Sequence, residues 1–166
     1  MARVIVLNGT SSAGKTTLAR ALRPRLDAGF CFFSSDQLAD AGFRPLEPVA
    51  RLEGRGRFFD GFHRAVAAFA DAGNDLLVEH IVEEQAWADD LLRLLGGHDV
   101  FWVGVHAPLA VAEARERVRG DRTVGEARFH MKTHGFVRYD VEVETTSPTD
   151  AVLEQIVAAW RGRRVR

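Results

Sequence analysis

The chain reads as an α/β protein, a five-stranded parallel sheet with helices on both faces. Three observations predict this. Apolar runs of strand length alternate with segments whose apolar residues recur at helical spacing, as crossover helices between parallel strands require. The 166 residues suffice for one α/β core, so a single domain over 1–166 is expected. Between the first apolar run and the first helical pattern stands Gly9-Thr10-Ser11-Ser12-Ala13-Gly14-Lys15-Thr16. It fits the phosphate-binding pattern G-x-x-x-x-G-K-[ST] in the strand–loop–helix context that the pattern needs.

The elements follow in order. Arg3–Asn8 is the first strand. Lys15–Leu26 is its helix, with Leu18, Leu22 and Leu26 on one face and Pro24 set to bend or end it. Phe30–Phe33 is a short second strand, and Ser34 or Ser35 is placed to cap a helix over Asp36–Ala41. Residues 42–57 hold two prolines, three glycines and four arginines without a period, and read as irregular. Phe58–Ala72 is helical, with Phe62, Val66 and Phe69 spaced for one face, and Gly73-Asn74 ends it. Leu76–Val82 is apolar enough to be a central strand. Glu84–Leu95 is helical, Val100–Val105 is the fourth strand, and Pro108 opens a helix to about Arg119. Residues 120–135 are polar and basic. Tyr139–Thr145 is the fifth strand, and Pro148 opens a last helix through Trp160.

Composition narrows the function. A net charge of −1 argues against a mainly electrostatic nucleic-acid or membrane binder, and only the Arg161–Arg166 tail stands out as basic. Cys31 is the one cysteine, so no internal disulfide forms, and its apolar neighbours suggest a buried strand thiol. No secretory pattern opens the chain and no apolar stretch reaches membrane-spanning length, so a cytoplasmic location is expected.

In a parallel sheet, ligands bind beyond the carboxyl ends of the strands. That rule brings the candidate residues to one edge. In the loop, Gly9 through Thr17 would cradle phosphate with backbone N–H groups. Lys15 would place its cation on the β/γ-phosphates of ATP or GTP, and the Thr16 hydroxyl would hold Mg²⁺. Asp36, just past the second strand, suits the general base for an acceptor hydroxyl, a Mg²⁺ partner through water, or a helix cap. Glu79 ends the third strand and orients the Mg²⁺ shell, contacts substrate, or pairs with an arginine. Its neighbour His80 is a candidate substrate contact or a structural histidine. Arg119 and Arg122 suit the transferring phosphoryl group in an arginine-rich lid over about 119–135. Arg115, Arg117 and Arg128 are expected in surface ion pairs. The acceptor-binding segment is about 38–62, with Phe58 and Phe59 as apolar wall beside Val49 and Leu52, and Phe62 in the core. His130 and His134 have metal-site spacing but lack the accompanying glutamate. Thr145-Thr146-Ser147-Pro148 is a place for a nucleotide base.

These residues together resemble the chloramphenicol phosphotransferase-like family of small phosphate-loop kinases. The match begins at Ile5-Val6-Leu7-Asn8-Gly9 with Ser11-Ser12-Ala13-Gly14-Lys15, and continues at Asp36-Gln37-Leu38 and Trp102-Val103-Gly104-Val105. It is strongest at Arg119-Gly120-Asp121-Arg122, and in His134-Gly135 with Tyr139-Asp140-Val141-Glu142-Val143-Glu144-Thr145-Thr146. The resemblance implies a phosphate-loop NTPase-type three-layer sandwich. It also implies Asp36 as base toward the acceptor hydroxyl, Arg119 and Arg122 on the transferring phosphate, and an antibiotic as a possible acceptor. The chain departs from the family over about residues 40–60 and at Glu79-His80, where the named enzyme has paired aspartates. Both departures fall where the acceptor binds. A kinase of a sugar, nucleoside or other metabolite is the alternative. A regulatory nucleotide-binding module is a third reading, although no Asn-Lys-x-Asp guanine motif occurs.

Overall fold

The structure, a computed structural model, describes residues 1–26, 29–119, 125–147 and 149–163, the side chain of Arg119 excepted. Strand β1 (Arg3–Asn8) is buried along almost its whole length and forms the middle of the sheet. The strand order is β2-β3-β1-β4-β5, with β2 (Cys31–Ser34), β3 (Leu76–His80), β4 (Asp99–His106) and β5 (Val141–Glu144), and every pairing is parallel. Alternation along β1 builds two cores. Ile5 and Leu7 face helices α1 (Lys15–Leu22), α6 (Leu109–Arg119) and α8 (Thr149–Gly162), whose Leu18, Ala112 and Ile156 pack against them. Val4 and Val6 face the other way, toward Phe62 and Val66 of α4 (Arg55–Asp71) and Leu91 of α5 (Gln85–Leu94). Three layers result, because each sheet face is apolar and each helix offers one apolar stripe.

Local chemistry sets the boundaries. Pro24 lies in a 3₁₀ turn, Arg23–Arg25, so α1 stops at Leu22 rather than Leu26. Helix α2 (Ser35–Leu38) is one turn long and has no side-chain cap from Ser34. It widens into a π-type turn, Ala39–Phe43, that Gly42 closes at φ 90°. The stretch 42–57 is not irregular throughout. Glu47 accepts from the Ala50 N–H at 2.6 Å and Pro48 takes the first helical position, which together start α3 (Pro48–Glu53). Phe69 does not join the buried face of α4. It remains 47% exposed and leans on Phe33. Cys31 is only half-buried, because β2 is an edge strand.

After α6 the described chain resumes at Gly125 and forms α7 (Glu126–His130) and a 3₁₀ turn, Met131–Gly135. Glu116, buried on α6, holds it by accepting from the N–H groups of Gly125 at 3.2 Å and Ala127 at 2.5 Å. Among the described residues no helix is long and apolar enough to cross a membrane.

Candidate active site

The register brings Asn8, Ser34, Glu79 and His106 to the same carboxyl edge of the sheet. The phosphate-binding loop leaves β1 there. A Cβ on Gly9 would come within 2.2 Å of the Val105 carbonyl oxygen, so only glycine lets the loop pass over β4. Gly14 precedes α1 at φ 96°, in the left-handed region. Ser12 adopts φ 58° without being glycine, a strained conformation of the kind that recurs at ligand clamps. Lys15 is buried and folds over its own loop, donating to the carbonyls of Gly9 at 3.0 Å and Thr10 at 2.8 Å.

A narrow cleft of about 60 Å³ lies against the loop, lined by Ser12, Lys15, Thr16, Thr17, Asp36 and Glu79 among others. The Thr16 hydroxyl donates to Glu79 Oε1 at 2.7 Å. The other carboxylate oxygen of Glu79 and the hydroxyl of Ser12 are buried without a hydrogen-bond partner among the described residues. Such orphaned polar groups are costly unless a ligand or ion engages them. An anionic oxygen beside a hydroxyl suits a hard cation such as Mg²⁺, so Thr16 and Glu79 fit that ion directly or through water. No cluster of three or more His, Cys, Asp or Glu side chains fit for a metal occurs among the described residues. His130 and His134 do not converge: His130 lies 3.2 Å from Glu83, and His134 contacts the Tyr139 hydroxyl at 2.9 Å.

The cleft opens on both sides. On one side it shares Ser12, Gly14 and Thr17 with a cavity of about 710 Å³ that includes Ala114, Arg115, Val118, Thr145 and Ser147. Thr145 and Ser147, from the stretch that the sequence offers to a nucleotide base, line this cavity. On the other side the cleft shares Asp36 and Ile81 with a chamber of about 620 Å³. Phe58, Phe59 and Leu52 line this chamber, Val49 does not, and Phe62 is in the core. A larger cavity, about 990 Å³ between α5 and residues 136–140, is lined by His134 but by none of the residues that the sequence assigned to the nucleotide, Mg²⁺ or the acceptor.

Several expectations need correction. His80 lines neither the cleft nor the chamber. It follows Glu79 on a strand and so points to the opposite face, where it is 1% exposed among Phe59, Phe62 and Trp87. Its Nε2 lies 3.0 Å from that of His63, and burial holds His80 well below the usual histidine range and His63 at about 4. Thr10 contributes backbone only, since its buried hydroxyl donates to the Ala127 carbonyl at 2.6 Å. Arg128 pairs with Glu113 on the surface, as expected. Arg115 does not. Its Nη1 donates to the Ala13 carbonyl at 3.2 Å and to Thr145 Oγ1 at 2.9 Å, and Nη2 to the Thr145 carbonyl at 3.1 Å. The side chain of Arg119, and the whole of Arg122, lie outside the described residues, as do Arg164, Val165 and Arg166 of the tail.

Sequence reasoning missed a buried acid of the chamber. Glu83 lines the chamber at 7% exposure and pairs with both Arg55 and His130. Burial pushes its carboxyl up, but hydrogen bonds from His130 and Arg55 outweigh that and hold it below the usual carboxylate range. An acid directly after the apolar run Leu76–Val82 was the available signal.

A family model described as chloramphenicol phosphotransferase-like protein matches residues 2–161. Two Mycobacterium tuberculosis proteins, from strains CDC 1551 and H37Rv, are named provisionally as O-phosphotransferases. Each is 30% identical over 175 residues, covering 87% of this chain and 76% of its own. The tunicamycin resistance protein of Deinococcus radiodurans is 25% identical with a TM-score of 0.69, covering 99% of this chain and 98% of its own. The M. tuberculosis APS kinase, solved with AMPPNP and APS, has a TM-score of 0.71 at 15% identity over 97% and 98%. A gluconokinase from Sinorhizobium meliloti has a TM-score of 0.69 at 17% identity over 96% and 91%. At those identities the two kinases establish the fold, a phosphate-loop kinase sandwich.

Proposed function

The chain belongs to the chloramphenicol phosphotransferase-like family, and on that premise we propose that it transfers the γ-phosphate of ATP or GTP to a hydroxyl of a small polar molecule. One observation carries the reading. Base-side cavity, phosphate cleft and outer chamber form a row, each sharing boundary residues with the next. A nucleotide along the first two directs its terminal phosphate at the third. Asp36 stands at that junction.

The acceptor oxygen attacks the γ-phosphorus, the bond to the β,γ-bridging oxygen breaks, and the nucleoside diphosphate leaves. Asp36 takes the hydroxyl proton. Lys15 releases its loop carbonyls and places its charge on the phosphates. Magnesium, when bound beside Thr16 and Glu79, supplies further charge neutralisation there. Arg119 and Arg122 act from the lid, about 119–135, over an acceptor segment of about 38–62. Closure excludes water from the transfer.

The charged lining of the chamber favours a sugar-like or other polar metabolite as acceptor over an antibiotic. The test is a mass-shift assay with Mg²⁺, ATP or GTP, and a panel of hydroxylated sugars, metabolites and antibiotics. A product heavier by one phosphoryl group, absent with Lys15→Ala, supports the kinase. Nucleotide binding with no product from any acceptor favours a binding module.

A further inference from the structure

The chamber holds arginines that phosphoryl transfer does not use. The arginine-rich stretch 42–57 brings Arg44, Arg51 and Arg55 to its lining. Arg55 is committed, paired with Glu83 and lying 5.0 Å from the Phe59 ring centroid. Arg51 is clamped by the turn that precedes α3, donating from Nε to the Pro45 carbonyl at 3.2 Å and from Nη2 to the Leu46 carbonyl at 3.1 Å. Those bonds fix its guanidinium and fasten the backbone next to Arg44. Arg44 is half-buried and has no hydrogen-bond or ion-pair partner among the described residues. Three carboxylates, Asp36, Glu83 and Glu126, line the same chamber, and none of them bonds Arg44. Glu83 is shared by Arg55 and His130, and Glu126 occupies the first turn of α7, where the helix dipole favours it. Asp36 stands at the phosphate end.

A guanidinium partly removed from water and without an internal partner is suited to a ligand anion, which its planar fork engages bidentately. Phe58, Phe59 and Phe129 supply apolar surface in the same chamber for a carbon skeleton. We infer that the acceptor is a hydroxylated small molecule bearing an acid group, and that Arg44, with Arg51 in the same chamber, receives that group. This rests on the reading of the chamber as the acceptor site.

The test separates the two. Sulfate is titrated calorimetrically into Lys15→Ala protein, whose phosphate loop is disabled, and into the same protein with Arg44→Ala or Arg44→Lys added. The expected result is that Arg44→Ala weakens sulfate about 10-fold or more, while Arg44→Lys, which keeps the charge but not the fork, recovers only part of the affinity. No sulfate binding, or equal binding with Arg44→Ala, overturns the inference and says nothing against the kinase. In the wild-type mass-shift assay, hydroxy acids are paired with their uncharged amides. Phosphorylation of the acids with KM raised by Arg44→Ala supports the inference. Equal phosphorylation of amides overturns it, and failure of every acceptor counts against the kinase reading.

Discussion

Arg115 and Thr145 meet on a single atom, the carbonyl oxygen of Ala13 in the phosphate loop, with Thr145 Oγ1 at 2.6 Å and Arg115 Nη1 at 3.2 Å. The hydroxyl gives its one proton to that carbonyl and accepts from Arg115 in turn. Three separate chain segments are thereby tied where the base-side cavity meets the phosphate cleft. Arg115→Ala unties them and leaves the Ala13 and Thr145 carbonyls short of a charged donor. Charged hydrogen bonds of this kind are worth about 1.5–3 kcal/mol. Nucleotide KM is expected to rise about 10-fold or more, with acceptor KM little changed. Steady-state kinetics with each substrate varied separately checks this, and an unchanged nucleotide KM removes Arg115 from the nucleotide site.

Asp36 is tested by a variant that keeps its shape. Asp36→Asn retains volume and polarity but cannot take a proton. Turnover is expected to fall by about 10²–10⁴-fold while nucleotide binding persists. Near-normal turnover would exclude it as the base.

Glu79 makes a prediction about magnesium. Glu79→Gln can still accept from Thr16 but no longer offers a charged oxygen to a cation. The Mg²⁺ concentration for half-maximal rate is expected to rise by about 10–100-fold. A magnesium titration of rate reads it, and an unshifted midpoint would leave Glu79 as a partner of Thr16 alone.

Burial of the His63–His80 pair gives stability a pH dependence. His63 titrates at about 4 in the folded protein against 6.5 in the unfolded chain. Between those values the unfolded state binds more protons, so stability is full above about pH 6.5 and declines as pH falls toward 4. The urea midpoint should therefore drop from pH 7 to pH 5. His63→Leu, which cannot gain that proton, should show a smaller drop. An equal drop in both proteins would place the acid sensitivity elsewhere.

What the sequence disclosed follows from what periodicity and motif encode. The central strands were legible as apolar runs because they are buried on both faces, the helices because each buries one stripe, and the phosphate loop because its pattern is local. Arg115 was not, because charges interleaved on α6 look alike when their partners are backbone carbonyls more than 100 residues away in number, as Ala13 is. Strand alternation did bear on Glu79 and His80: two successive residues cannot both face the cleft. It did not say which one would. Cys31 looked interior because its neighbours are apolar, but strand order, which put β2 at the edge, is a property of the whole sheet.

Two glycines separate steric necessity from convenience. At Gly9 an added Cβ would stand 2.2 Å from a backbone oxygen of β4, which has no flexible end to move aside. At Gly61, inside α4 and exposed, an added Cβ meets nothing within 4 Å. The same substitution should have opposite signs. Gly9→Ala overpacks the loop, costing about 1–3 kcal/mol, and displaces the phosphate cradle with it. Gly61→Ala removes backbone freedom from the unfolded chain and should stabilise by about 0.5–1 kcal/mol. Denaturant melts give both signs. A nucleotide titration gives the other half: Gly61→Ala should bind as wild type, whereas Gly9→Ala should lose binding under conditions where it is still folded. Retained nucleotide binding in folded Gly9→Ala would mean that the loop can shift off Val105 without losing its ligand, and that the close pass over β4 does not set the cradle.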